Sequence, residues 1–296
     1  MKIGYFSGGG PGFLGAVFGD RVFNLSLAAS RAGKGKFSDL DSLFAGEFFD
    51  VSLFQSLSEE GKTQEDCWHV LEELTFLPLL RPGKVICLGL NYAEHAREGN
   101  VPVPEEPIYF QKATTSVIAH NQPVIYPPAL GRIDHEVELA FIIGKRGRNV
   151  KESDAGNFIA GYTILNDVTA RDLQKKDLVN RHPWYRSKSI DTFCPIGPWV
   201  VTADEIAPEE PLSIQLRVNG EVRQNSSTKY LVFRVPALIA VITALITLEP
   251  GDIISTGTPD GISPVYPGDV MECEIEKIGI LRNPVKKDRI TSDGEL

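Results

Sequence analysis

The 296-residue chain has four cysteines, Cys67, Cys87, Cys194 and Cys273, and no two of them form a CxxC pair. That spacing excludes a zinc knuckle and a dithiol redox motif, and leaves reduced thiols packed as small apolar side chains. Positive charge is also short, with 30 Lys+Arg against 39 Asp+Glu and a formal charge of −9. A nucleic-acid binder needs a basic face to neutralise phosphates, so that class of partner is excluded. No apolar run reaches bilayer length. The longest, residues 235–248, contains Pro236 and two threonines, and a spanning helix needs about 20 apolar residues. The opening MKIGYFSGGG lacks the apolar stretch of roughly 7–15 residues that marks a secretory signal. Together these absences give the expectation of a cytoplasmic protein with no membrane partner, in which the sequons at Asn24 and Asn225 carry no meaning. At 42% hydrophobic and 23% charged, the chain can bury a large core, which excludes global disorder.

Residues 1–79 read as a small N-terminal α+β domain. Residues 2–6 form a strand pattern. Gly10, Gly12 and Gly15 then spell GxGxxG, but a dinucleotide loop needs a helix after the glycines and an acidic residue about twenty positions on. The following LGAVFGDRVFNL instead sets Gly19-Asp20 between two Val- and Phe-rich runs, a β-hairpin signal. The apolar spacings Leu40, Leu43, Phe44 and Cys67, Val70, Leu71, Leu74 predict helices. Arg81-Pro82-Gly83 marks the boundary to a second domain, residues 80–296. There short β-type runs dominate: VICLGL, PVIYP, VELAFIIG, FIAGYTIL, PWVV, LSIQLRVNG, DIISTG and DVMECEIEKIGILRNPV. Such runs, separated by Gly/Pro turns, predict a β-rich closed core. Two helices stand out, at about 92–98 and from Pro236 to about 247, the second opened by proline and closed by LEPGD. From Lys286 the chain is charged and is expected to fray.

Five segments carry chemistry. In DHEVELAFIIGK the strand pattern puts Glu136 and Glu138 on one face and Val137 and Leu139 on the other. Neighbouring carboxylates repel, so that face is either wet or holds a cation. The apolar run FIAGYTIL leads into Asp167, a carboxylate at a strand end, while Arg171 and Asp172 read as a local cap and pair. Glu136, Glu138 and Asp167 make an all-oxygen set that suits Mg²⁺ or Mn²⁺ and disfavours zinc. His95 and Glu98 are neighbours on a helix. The pair reads as a surface contact or as a carboxylate-oriented general base. The adjoining GNVPVPEEP reads as a lid. Lys188 lies in a Ser/Thr/Pro-rich segment with little helical character. It is either a surface charge or, near a metal, a cation that holds an acidic substrate. The turn at 255–261 offers a hydroxyl and N–H groups to an oxyanion. No GxSxG occurs, which gives a serine-hydrolase elbow no support.

Taken in order, GLNYAEHAREGNVPVPEEP, HEVELAFIIGK, NDVTARDLQ, RSKSIDTFCPIGP, RVNGEVRQ and PGDIISTGTPDG resemble the fumarylacetoacetate hydrolase (FAH) family over residues 84–285, roughly two thirds of the chain. GDRVFNL also resembles the opening domain of longer members. The resemblance is nearest to the FAH-domain-containing group, with its acylpyruvate hydrolases, oxaloacetate decarboxylases and 2-hydroxyhepta-2,4-diene-1,7-dioate isomerases. It implies a β-rich α+β protein with a mixed β-sandwich or roll as its C-terminal domain, normally a homodimer. It also implies that Glu136, Glu138 and Asp167 bind Mg²⁺ or Mn²⁺, that His95 and Glu98 form the base dyad, and that Lys188 is catalytic. By the same resemblance Tyr92, Gln174, Gly257 and Thr258 meet substrate. The founding hydrolase has a fourth metal carboxylate where this chain carries Asn91, so three protein ligands are expected. Decarboxylase-like members often carry an arginine where this chain has Leu90. The implied activity is metal-dependent C–C cleavage, by hydrolysis or decarboxylation, of a small anionic 2-oxo or 1,3-dicarbonyl acid such as an acylpyruvate or oxaloacetate, through a metal-bound enolate. Isomerisation of a 2-hydroxydienedioate, or sugar-acid chemistry, is the alternative on the same scaffold. The segment KKDLVNRHPWY, at 175–185, reads as a loop that meets the substrate tail.

Overall fold

In the computed structural model the structure describes residues 1–35, 37–46, 49–98 and 101–288; the side chains of His95 and Ala96 lie outside that description. Strand Lys2–Ser7 pairs with Phe13–Phe18, which turns back on Arg21–Asn24 through Gly19-Asp20. Gly19 takes a φ of +62° there, a conformation that costs a residue without Cβ little. The hairpin read at Gly19-Asp20 is the one observed, and the GxGxxG string runs from the preceding turn (Gly10, Gly12) into the strand Phe13–Phe18 (Gly15), with no helix directly after it. Helices Leu25–Arg31, Leu40–Ala45 and Val51–Glu60 follow, and the side chains of Asn24, Asp39 and Asp50 accept their first free N–H groups.

The helix expected over 67–74 is not formed. Trp68–Val70 is a strand paired with Arg21–Asn24, flanked by 3-10 turns at Glu65–Cys67 and Leu71–Glu73. The apolar spacing suits a helix, but the Trp68 ring packs on Phe23 across the strand pair and on Phe18 of the strand beyond, and such cross-strand aromatic contacts decide the outcome.

A twelve-stranded sheet runs through both halves of the chain. From Arg21–Asn24 it passes through Phe13–Phe18 and Lys2–Ser7 to Cys194–Thr202, Ile159–Asn166, Val137–Ile143, Ile253–Ser255, Val85–Gly89 and Ile108–Lys112. The halves join where Ile3 pairs with Val200, and one buried cluster holds Ile3, Leu14, Leu80, Ala140 and Ile196 together. A five-stranded sheet built on Ser213–Val218, Val270–Ile275 and Gly279–Lys287 buries Ile214, Leu216, Met271 and Leu281 with Val137 and Ile164 of the large sheet. Helix Val235–Leu245, with Pro236 in its first turn, adds Leu238, Ile239 and Ile242 to that core. Each such side chain contributes about 1.5–3 kcal/mol on full burial. The β-rich α+β class expected from the sequence is the class observed. All four cysteines are free and buried. Among the described residues no helix is long and apolar enough to cross a membrane.

Two stretches differ from expectation. Arg171–Val179 and Tyr185–Lys188 are helical where a loop and a poorly helical segment were expected. RDLQKKDLV offers no apolar stripe; Gln174 and Asp177 are the residues it buries, and Arg186 Nε donates to Asp177 Oδ1 at 2.8 Å to tie the two helices. The expected fraying from Lys286 is also overturned at its start, because Lys286 and Lys287 pair with Ile125 and Tyr126. Residues 289–296 lie outside the described residues.

His120 packs its ring 4.5 Å from that of Phe76, and its Nδ1 accepts the Arg282 N–H at 3.1 Å. Burial, and then the charge of Arg282, push its pKa down to about 4. An imidazole with an ordinary value near 6.5 when unfolded then stabilises the fold above that pH, and the contribution is lost as pH falls toward 4. It amounts to about 3 kcal/mol. Thermal melts between pH 7 and 4 are expected to show a flatter acid limb for His120→Asn than for the wild type; parallel limbs would remove His120 as the cause.

Candidate active site

The register of one strand pair builds the site. Val137 faces Asn166 across antiparallel strands, so Glu136 and Glu138 at the start of one strand meet Asp167 just past the end of the other. The Asp167 N–H donates to the Glu136 carbonyl at 2.8 Å, and the Glu136 N–H donates to Asn166 Oδ1 at 2.9 Å. Carboxylate oxygens of the three buried acids lie within 4.8 Å of one another. Glu138 Oε2 accepts Ser255 Oγ–H at 2.6 Å and the Gly257 N–H at 3.0 Å. Burial, followed by the charges of Asp167 and Glu136, pushes the Glu138 carboxyl well above the usual range.

Cations crowd the same acids. Lys188 Nζ donates to Asp167 Oδ2 at 2.5 Å and Glu136 Oε2 at 2.8 Å. Burial opposes its charge, yet Asp167 and Glu136 hold its ammonium above the ordinary lysine range. Lys112 Nζ donates to Asp167 Oδ1 at 2.5 Å and the Val168 carbonyl at 3.3 Å. Nothing in the sequence singles out this lysine; the one available signal is an ionisable residue closing an aromatic-rich strand. Arg171 Nε donates to Asp134 Oδ2 at 2.8 Å, its guanidinium pairs with Glu136, and Nη1 donates to Gln174 Oε1 at 2.5 Å. The local pairing expected of Arg171 is thus corrected, since its acidic partners lie 35 and 37 positions away. Asp172 likewise reaches across the chain, accepting the Arg132 N–H at 2.9 Å.

A pocket of about 560 Å³ opens onto these groups, with Glu98, Glu136, Glu138, Gln174, Lys188 and Thr258 in its wall. A wider groove of about 1490 Å³, past Ile125, Leu173 and Lys287, holds none of the triad. Glu98 Oε1 accepts the Gly261 N–H at 3.2 Å. His95 belongs to helix Ala93–Glu98, but its side chain lies outside the described residues. Thr258 Oγ1 donates to the Val137 carbonyl at 2.9 Å and accepts from Gln224 Nε2 at 2.8 Å. Gly257 adopts a φ of +89°, and a Cβ there would meet Asn91 Cβ and the Leu88 carbonyl at 3.1 Å; its N–H is committed to Glu138. Tyr92 is not brought to the pocket wall with the others. It is wholly buried, and its hydroxyl has no hydrogen-bond partner among the described residues.

A family model described as Fumarylacetoacetate (FAA) hydrolase C-terminal matches residues 84–286. The chain belongs to the FAH family. The Bos taurus protein named oxaloacetate tautomerase FAHD2A, mitochondrial, is 48% identical over 221 residues, which cover 72% of this chain and 70% of that protein. The solved fumarylacetoacetate hydrolase of Exiguobacterium antarcticum is 34% identical with a TM-score of 0.82, covering 97% of this chain and 100% of that one. The maleylpyruvate hydrolase of Sphingobium sp. SYK-6, solved with manganese(II) and pyruvate, is 30% identical with a TM-score of 0.77, covering 98% and 100%. These FAH-family relatives are enzymes, which supports the same status for this chain.

The residues of this FAH-family site fit a divalent cation. Three carboxylates are all-oxygen donors, and burial, then the charges of Asp167 and Glu136, leaves Glu138 in want of positive charge. Asn91 is committed to the backbone. Its Nδ2 donates to the carbonyls of Thr256 at 2.8 Å and Phe233 at 3.0 Å, and its Oδ1 accepts the Phe233 N–H at 2.7 Å. Asn91→Asp would set a carboxylate against two buried carbonyls. It is expected to cost about 3 kcal/mol or more of stability and to add no metal affinity, as denaturant melts and metal titration would show. A tighter metal site in that variant would mean that position 91 reaches the ion.

Proposed function

We propose that this FAH-family chain is a Mg²⁺- or Mn²⁺-dependent enzyme that cleaves a carbon–carbon bond of a small 2-oxo acid, by hydrolysis of an acylpyruvate or decarboxylation of oxaloacetate, through an enolate. What supports the reading is that Glu136, Glu138, Lys188 and Arg171 line one pocket, with the third buried carboxylate, Asp167, directly behind them. Glu136, Glu138 and Asp167 would hold a divalent ion, which would supply Lewis acidity toward a 2-oxo acid when bound. Lys188 keeps a buried positive charge beside the oxygen on which enolate charge develops. Arg171, fixed at Asp134 and Glu136, orients Gln174 through its carbonyl oxygen and leaves the Gln174 amide N–H groups for the substrate. In the hydrolytic reaction His95, oriented by Glu98, takes a proton from water. The water oxygen bonds to the distal carbonyl carbon, the C–C bond breaks, and its electron pair stays on the carbon that becomes the enolate and is then protonated. In the decarboxylation CO₂ departs and leaves the same enolate. Homodimeric assembly and a cytoplasmic location belong to this proposal.

The FAHD2A relative favours a second reading, keto–enol tautomerisation, in which a proton moves between carbon and oxygen and no C–C bond breaks. One assay separates the two. The Mg²⁺- and Mn²⁺-loaded proteins are given oxaloacetate and acetylpyruvate while enol absorbance and pyruvate release are followed together, with His95→Ala as control. Metal-dependent pyruvate that collapses in the variant is the expected result. Enol loss without pyruvate would replace cleavage by tautomerisation, and neither change from a metal-loaded protein would overturn both.

A further inference from the structure

Arg132, Asp134, Glu136 and Glu138 all line the pocket, whereas Ile133 and Val137 between them lie in the core and His135 is buried against Gln224 and Ser263. Alternation along an extended backbone accounts for this division. The pocket-facing row changes character along its length. It carries two of the triad acids, Glu136 and Glu138, at one end and, on the order of 13 Å of extended backbone away from Glu136, an arginine at the other.

Arg132 is firmly held. Its N–H donates to Asp172 Oδ2 at 2.9 Å, and its carbonyl accepts the Arg171 N–H at 2.8 Å. Gly131 before it takes a φ of +70°, and a Cβ there would stand 2.5 Å from Asp172 Oδ2. Arg132 Nε donates to Asp134 Oδ1 at 2.6 Å, and Asp134, wholly buried, carries Arg171 on its other oxygen. The terminal nitrogens of Arg132 have no hydrogen-bond partner among the described residues, and 40% of the side chain is exposed. The pocket wall carries Arg171, Lys175 and Lys188 besides Arg132, and Arg132 is the cation whose guanidinium keeps its terminal nitrogens for an anionic ligand.

We propose that Arg132 is the specificity-determining residue of this pocket: its guanidinium, pre-oriented by Asp134, takes the distal carboxylate of a 2-oxo diacid whose 2-oxo acid end sits at the triad. The inference rests on the function proposed above for the triad. Charge-assisted hydrogen bonds to a planar guanidinium are the interaction invoked.

The test is calorimetric titration of the full, Mn²⁺-loaded chain with oxalate, 2-oxoglutarate and 2-oxovalerate, the last two matched in carbon number. Wild-type protein is expected to bind the diacid at least tenfold more tightly than the monoacid. Arg132→Gln is expected to erase that preference and leave oxalate and 2-oxovalerate within twofold, and Arg132→Lys to restore part of it. Intact oxalate binding also shows that the variant is folded. Oxalate binding with an unchanged diacid preference in Arg132→Gln overturns the Arg132 assignment alone. Absence of oxalate binding by the metal-loaded wild type overturns the triad reading, and the assignment falls with it.

Discussion

Glutamine at position 138 is expected to lower metal affinity by about 100-fold or more and kcat/KM by about 10³-fold. The amide keeps the shape of the carboxylate, and its oxygen can still accept from Ser255 Oγ and the Gly257 N–H, which hold Glu138 in place. What disappears is one of three negative charges whose convergence makes the site. The metal-free protein is expected to respond with the opposite sign. There Glu138 is a buried acid pushed up by burial, Asp167 and Glu136, so removing its charge relieves repulsion and raises Tm. Metal titration and turnover, with melts of chelator-treated protein, read both effects. Wild-type metal content and turnover in Glu138→Gln would end the assignment of this triad.

Lys188→Met is expected to lower kcat/KM by about 10²- to 10³-fold, mostly in kcat, because the positive charge it removes acts on charge that develops during the reaction. Without metal, the same change strips a buried partner from Glu136 Oε2 and Asp167 Oδ2 at once. Breaking a buried ion pair from one side costs about 3–5 kcal/mol. With Mn²⁺ present the cost is expected to shrink, because another cation then compensates the two acids. Denaturant melts with and without the ion make the comparison. An equal loss in both would show that Lys188 braces the fold independently of the carboxylates' charge. Lys188→Arg is not expected to rescue activity, since a planar fork does not reproduce a compact ammonium between two carboxylates.

The parts of this site that can be read from the sequence are those written in short-range pattern. The two-residue spacing of Glu136 and Glu138 before an apolar strand, and Asp167 at the end of FIAGYTIL, need only strand periodicity to be placed; the antiparallel register of Val137 with Asn166 brings them together. The Gly19-Asp20 hairpin is equally local. Arg171 and Lys112 are different in kind. Their partners lie 35 and 55 positions away, and whether a basic side chain pairs with its neighbour or with a distant buried acid depends on sheet order. The helix Arg171–Val179 is hard to see for a related reason. It buries Gln174 and Asp177, so no apolar stripe announces it. Trp68–Val70 shows the converse case, a spacing that suits a helix overruled by a strand partner and its aromatic rings.

The pairing of Ile3 with Val200 makes the opening segment a lateral extension of the sheet that carries the candidate site. Cutting the chain near Pro82 would not free a bead from a string. It would bare the flank of Cys194–Thr202, a strand whose other flank pairs with Ile159–Asn166, the strand that leads into Asp167. An exposed strand flank invites the next molecule to zip onto it. Residues 1–79 therefore act as a selvedge for this protein, finishing the edge of the weave in which the candidate site is set.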